Sequence, residues 1–157
     1  MAALPDGTVL VLDHQLVQVL MLGPDGELLG TVGRKGEGPG EIQNPSRLVL
    51  PGDGRIGILQ LYPAAIVFLN RDGTPAGRYE PESPSFLWMQ VRMRGGVIAA
   101  SGQIMGQMAE PGTSVERLRI VRLDGEGAIA ATYLQKDKTT SWDPPVYDEA
   151  ANWFAGQ

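Results

Sequence analysis

A chain of 157 residues with 43% hydrophobic residues has enough apolar surface for one domain with a sizeable core, which excludes a disordered polypeptide. A net charge of −5 with scattered Lys and Arg excludes the basic face that phosphate neutralisation demands of a nucleic-acid binder. The absence of cysteine removes disulfides, thiolate metal sites and a cysteine nucleophile together, and no apolar run approaches the roughly 18 residues of a spanning helix.

The amino terminus, Met1 to Asp6, lacks the basic stretch and apolar core of a signal peptide. With 21 Gly, 12 Pro and short apolar runs, the chain reads as all-β. The first predicted unit spans 1–33. Asp6-Gly7 opens an alternating strand over 8–12, a second strand follows at 16–22, and Asp25-Gly26 turns into a third at 27–32. Shifting by 47 residues superposes a second unit, 46–80: Asp53-Gly54 falls on Asp6-Gly7, Asp72-Gly73 on Asp25-Gly26, Ile56/Ile58 on Val9/Val11, and Ile66/Phe68 on Val19/Met21. Its predicted strands are 46–50, 55–59, 65–69 and 75–79. A stretched third unit, 86–134, has predicted strands at 86–93, 97–101, 115–123 and 128–134, an Asp124-Gly125 turn and an insertion from Ser101 to Ser114. The tail 142–157, with Trp142 and Trp153, reads as the opening of another unit or a short helix, and Trp88 reads as core.

Four-stranded antiparallel units repeating every 40 to 50 residues are the pattern of β-propeller blades. The expected fold is therefore a single partial propeller domain over 1–157, an incomplete ring whose first blade lacks its inner strand. Three blades do not close a ring. The expectation is a fragment of a longer chain, with a homodimer of half-rings or an open stack as alternatives.

Gly33-Arg34-Lys35-Gly36-Glu37-Gly38-Pro39-Gly40-Glu41-Ile42-Gln43-Asn44-Pro45 resembles the blade-linking motif of NHL-type six-bladed propellers, and the strand pattern at 6–13 resembles the strand of those repeats. The resemblance covers 6–80 well and 86–134 by pattern alone. Gln60 stands where that repeat has Asp, and the Arg-Ile pair that opens its third strand is absent. The resemblance implies a bacterial propeller protein and an extracytoplasmic home.

Strand parity sorts the connections. The Asp-Gly turns fall at one end of the blades, and Asp13–Gln15, Gly33–Pro45, Gln60–Pro63, Glu80–Ser85, Ser101–Ser114 and Gln135–Pro145 at the other. Long loops on a rigid scaffold are where binding resides. The candidate ligand or partner residues are therefore Asp13, His14, Arg34, Lys35, Glu37, Glu41, Asn44, Met105 and Met108. The two methionines offer adaptable apolar contact in a polar loop, or fold over their own blade. His14, the single histidine, is either a general base oriented by Asp13 or a hydrogen-bonded loop residue. The glycines at 33, 36, 38 and 40 match neither the phosphate-loop nor the dinucleotide spacing, so a tight inter-blade turn is expected. Arg117, Arg119 and Arg122 read as a solvated strand face.

No complete catalytic set is visible. The expected function is a non-catalytic binding or scaffold segment for a protein, peptide or glycan, without nucleic acid and without a membrane span. The alternative is a piece of a metal-dependent propeller hydrolase, lactonase or lyase, with a Ca²⁺ held by oxygen ligands such as Glu41, Asn44 and Glu80 or Glu82.

Overall fold

The computed structural model describes residues 1–82, 86–104 and 113–141. Every regular element among them is a β-strand, and no helix there is long and apolar enough to cross a membrane. Three four-stranded antiparallel meanders follow one another along the chain. Sheet I comprises β1 (Ala2–Ala3), β2 (Val9–Asp13), β3 (Gln18–Leu22) and β4 (Leu28–Val32). Sheet II comprises β5 (Pro45–Val49), β6 (Ile56–Gln60), β7 (Ala65–Leu69) and β8 (Pro75–Tyr79). Sheet III comprises β9 (Phe86–Arg94), β10 (Val97–Ile104), β11 (Thr113–Leu123) and β12 (Ile129–Ser141).

The Asp-Gly signal works through the carboxylate as well as the glycine. Asp6, Asp53 and Asp72 each accept the amide two residues on, at 3.1, 3.1 and 2.9 Å, and the glycines that follow them have positive φ. In sheet III the alignment moves by two residues. Gly127, with φ 92°, is the turn glycine, and its amide bonds the Asp124 carbonyl just as Gly73 bonds Asn70. Asp124-Gly125 is thus not the equivalent of Asp72-Gly73; Glu126-Gly127 is.

Three expectations from the sequence are corrected. Sheet I does have an inner strand, since Ala2 and Ala3 pair with Leu10 and Val9; two residues are too few to show an alternation. Both ends of the Ser101–Ser114 insertion are strand, because β10 continues to Ile104 and β11 begins at Thr113. Ser101 and Gln103 alternate with buried Gly102 and Ile104, so the period-two pattern runs on through polar residues. The hairpin of β11 and β12 also continues to Ser141, past the expected end at 134, and Arg117 and Asp137 form a bidentate pair across it at 2.8 and 2.7 Å. Residues 105–112, with Met105 and Met108, and the tail 142–157, with Trp142 and Trp153, lie outside the described residues.

Sheet II is the centre of the molecule. Every residue of β6 and β7 is buried, as their continuous apolar runs require of strands covered on both faces. Ile56, Ile58, Val67 and Leu69 pack against Leu10, Val19 and Val32 of sheet I and against Ile42. Leu59, Ile66, Phe68 and Tyr79 pack the other way, against Val91, Ile98, Val121 and Leu123 of sheet III.

The short-turn ends of neighbouring sheets are tied together. Arg71, beside the β7–β8 turn, reaches Asp6 in the β1–β2 turn at 2.6 Å, and Arg55 in the β5–β6 turn donates to the Gly125 carbonyl in the β11–β12 turn at 2.6 Å. The Arg71 hydrogen bond, helped by the Thr8 amide, holds the Asp6 carboxyl down at about 2. A depressed folded pKa makes this contact favourable above the ordinary aspartate range and loses it as pH falls through the folded value. In Arg71→Ala the Asp6 midpoint, followed by carboxyl NMR, is expected to climb toward the ordinary aspartate value of about 3.9. The melting temperature at neutral pH should barely move, because both side chains are exposed. An unchanged Asp6 midpoint would mean that the two sheets are not joined there.

Candidate functional site

The connections at the opposite end of the sheets carry Asp13, His14 and Asn44, the 33–45 linker carries Arg34, Lys35, Glu37 and Glu41, and the structure gives each of these a definite partner or exposure. Asp13 closes its own turn, its carboxylate accepting the amides of Gln15 and Leu16 at 2.8 and 3.0 Å. His14 bonds through Nδ1 to the Pro45 carbonyl at 2.9 Å, so the ring joins sheet I to the start of β5. The hydrogen-bonded loop histidine is the observed arrangement. Asn44 donates to the Tyr62 carbonyl at 2.7 Å, and the Leu61 amide returns a bond to the Asn44 carbonyl.

The 33–45 linker closes on itself. Gly36 donates to the Ile42 carbonyl, Ile42 to the Arg34 carbonyl and Glu41 to the Gly38 carbonyl, while Ile42 anchors the loop in the core. Glu41 is its internal anion. Its carboxylate accepts the Gly38 amide at 2.9 Å and Arg34 Nε at 2.7 Å, and these bonds, the amide foremost, hold its pKa below the usual glutamate range. A side chain at Gly36 would collide with that carboxylate, with a Cβ falling 2.0 Å from Glu41 Oε2. Of the amides that could have cradled a phosphate, that of Gly38 is taken by the chain's own glutamate and those of Gly36 and Glu41 by main-chain carbonyls. Lys35 and Glu37 remain exposed on the rim. The linker tip does not stand among the other long loops. It folds back along sheet II until Gly40 meets Pro75 and Leu69, near the short-turn end.

This fold-back leaves an open groove of about 500 Å³ between the linker and β8, lined by Glu37, Gly38, Pro39, Gly40, Pro75, Gly77, Arg78 and Glu80. Glu80 pairs with Arg78 along its β8 wall. Glu41, Asn44 and Glu80 are each engaged locally, and among the described residues no three His, Cys, Asp or Glu side chains gather where they could hold a metal ion.

A second cluster, unforeseen from the sequence, lies between sheets II and III. Arg117 and Arg119 are not a solvated strand face. Arg119 is 8% exposed, bonds Glu82 at 3.0 Å and leaves its Nε without a partner among the described residues. Arg117 joins Glu82 to Asp137, which raises its own pKa and lowers that of Asp137. The reason is parity. Residues 117, 119, 121 and 123 alternate onto the face toward sheet II, and of the three arginines only Arg122 turns outward. The guanidiniums meet an aromatic wall of Tyr79, Phe86 and Trp88, in which Phe86 and Trp88 stack edge to face at 5.0 Å. Burial among these groups raises the Tyr79 hydroxyl pKa. Trp88 Nε1 donates to the carbonyl of buried Gln60 at 3.2 Å, and Gln60 itself donates to the Pro63 carbonyl at 2.7 Å. The enclosed space beside the arginines is about 10 Å³, the size of one water, so it admits nothing larger as it stands.

No family model matches the chain, and no curated protein matches it.

Proposed function

We propose that the three meanders are blades of an incomplete β-propeller, and that the chain is a non-catalytic binding segment for a protein, peptide or glycan. The single observation that carries this reading is the open groove between the 33–42 linker and β8. Its walls combine proline rings, main chain bared by three glycines, and the acids Glu37 and Glu80, a surface suited to an extended polar chain. The alternative, a metal-dependent hydrolase, would draw on Glu41, Asn44 and Glu80, but each of these already has a local partner.

Peptide and glycan arrays probed with the whole chain test the proposal. The expected result is a set of ligands whose binding weakens roughly tenfold or more in Glu37→Lys/Glu80→Lys, because both groove acids are reversed in sign. The melting temperature should be unaffected, since both side chains are exposed. Ligands that bind the variant equally well would remove the groove from consideration. Calcium-dependent ester or lactone hydrolysis that disappears in Glu41→Gln or Asn44→Ala would replace the binding reading with the enzymatic one.

A further inference from the structure

The 47-residue repeat points to an apolar surface that no other described residues of the chain pack against. Sheet I packs on sheet II through Leu10, Leu12, Val19 and Met21. Its other face presents Val9, Val11, Leu20 and Leu22, paired as Val9↔Leu22 and Val11↔Leu20. The shift carries these four onto Ile56, Ile58, Val67 and Leu69, paired in the same way. In sheet II those residues are 0–1% exposed, because sheet I lies on them. In sheet I the four are only half-buried, and they belong to no core cluster of the described residues.

Sheet III offers the opposite surface. Its outward residues include Val97, Ala99, Leu118 and Ile120, likewise in no core cluster, flanked by Arg92, Arg94 and Arg122. Sheets I and III lie on opposite faces of sheet II, so these two surfaces point away from each other within one chain.

Charge sorts them as partners. Residues 1–32 contain four Asp or Glu and no Lys or Arg, whereas the outer face of sheet III is basic. At both internal interfaces the outer turn of the later sheet meets the inner turn of the earlier one, Arg71 on Asp6 and Gly125 on Arg55. The same relation would set the Gly23–Glu27 turn, with Asp25, against the hairpin at Arg94, Gly95 and Gly96.

We infer that the outer face of sheet I binds the outer face of sheet III of a second copy of this chain, head to tail, in the packing that sheets I and II already use. The contact is heterologous, each copy contributing a different surface.

Light scattering after size exclusion tests this with the whole chain at sub-millimolar concentration. The wild type is expected to run above the 16.8 kDa of one chain. Leu20→Asp disables the sheet I surface and Arg92→Glu/Arg94→Glu the sheet III surface, so each variant alone should run at the single-chain mass. An equimolar mixture of the two retains one intact pair of surfaces and should recover a dimer. Asp25→Arg, on an exposed turn, should weaken association roughly tenfold without disturbing the melt, which separates docking from folding. A wild type that stays at the single-chain mass, a Leu20→Asp variant that associates normally, or a mixture that stays single would each overturn the inference.

Discussion

Replacing Phe68 by alanine is expected to remove about 3–5 kcal/mol of folding stability, the range for deleting a fully buried phenylalanine. Phe68 is among the largest fully buried side chains, and it sits where sheet II meets sheet III, with Leu59, Ile66, Val91, Ile98 and Val121. Two features keep its cavity from collapsing. Gly57 lies opposite it on β6, where a Cβ would come within 3.2 Å of the ring, and Arg55 holds its guanidinium 4.8 Å from the ring centroid. Domains of this kind hold about 5–15 kcal/mol in total, so the variant should unfold at far lower urea, measured by circular dichroism. Leu87→Ala, 43% exposed on β9, serves as the control and should change stability by about 0.5 kcal/mol or less. A loss below about 1 kcal/mol for Phe68→Ala would mean that sheets II and III do not pack through this ring.

Gly77→Ala is the second large effect. Gly77 has φ 107°, and a Cβ there would lie 2.2 Å from the Glu126 carbonyl oxygen. That carbonyl accepts the Arg78 amide at 2.9 Å, and Gly127 is in turn pressed against the Arg78 backbone, where a Cβ would fall 2.7 Å from its carbonyl. Here β8 and the β11–β12 turn touch main chain to main chain, which only glycine permits. The alanine variant must open this contact as well as bear the strain of its backbone angle, at an expected cost of about 2–4 kcal/mol. Gly26→Ala separates the two contributions. Its φ is 84°, with nothing within 4 Å of the added carbon, so it bears strain alone and should cost about 1 kcal/mol. Thermal melts report the difference, and hydrogen exchange at the Arg78 amide should accelerate in Gly77→Ala only.

The candidate site was partly legible. The linker could be marked as distinctive because its glycines and prolines are local signals, and Asp13 and His14 could be set in a turn by strand parity. The role of Glu41 was not readable, since a carboxylate that serves its own loop and one that serves a ligand look alike in a string of residues. Arg117 and Arg119 were misread because strand alternation does not reveal which face another sheet covers. Sheet II supplies Tyr79 and the linker after it supplies Glu82, and together they turn two apparently solvated cations into a cluster in which Arg119 is buried and Arg117 half-buried.

The sequence alone determined the all-β class, the three units and the positions of most hairpin turns. These rest on short-range physics: period-two alternation, and Asp-Gly pairs that satisfy their own turn. Tertiary structure decided the rest. It lengthened the third unit through polar residues, moved its turn from Gly125 to Gly127, and supplied the two-residue strand at Ala2–Ala3. It also folded the linker tip back onto Pro75, making the groove. Each of these outcomes depends on what a distant segment places nearby, and contacts between residues far apart in sequence leave no periodic trace within either one.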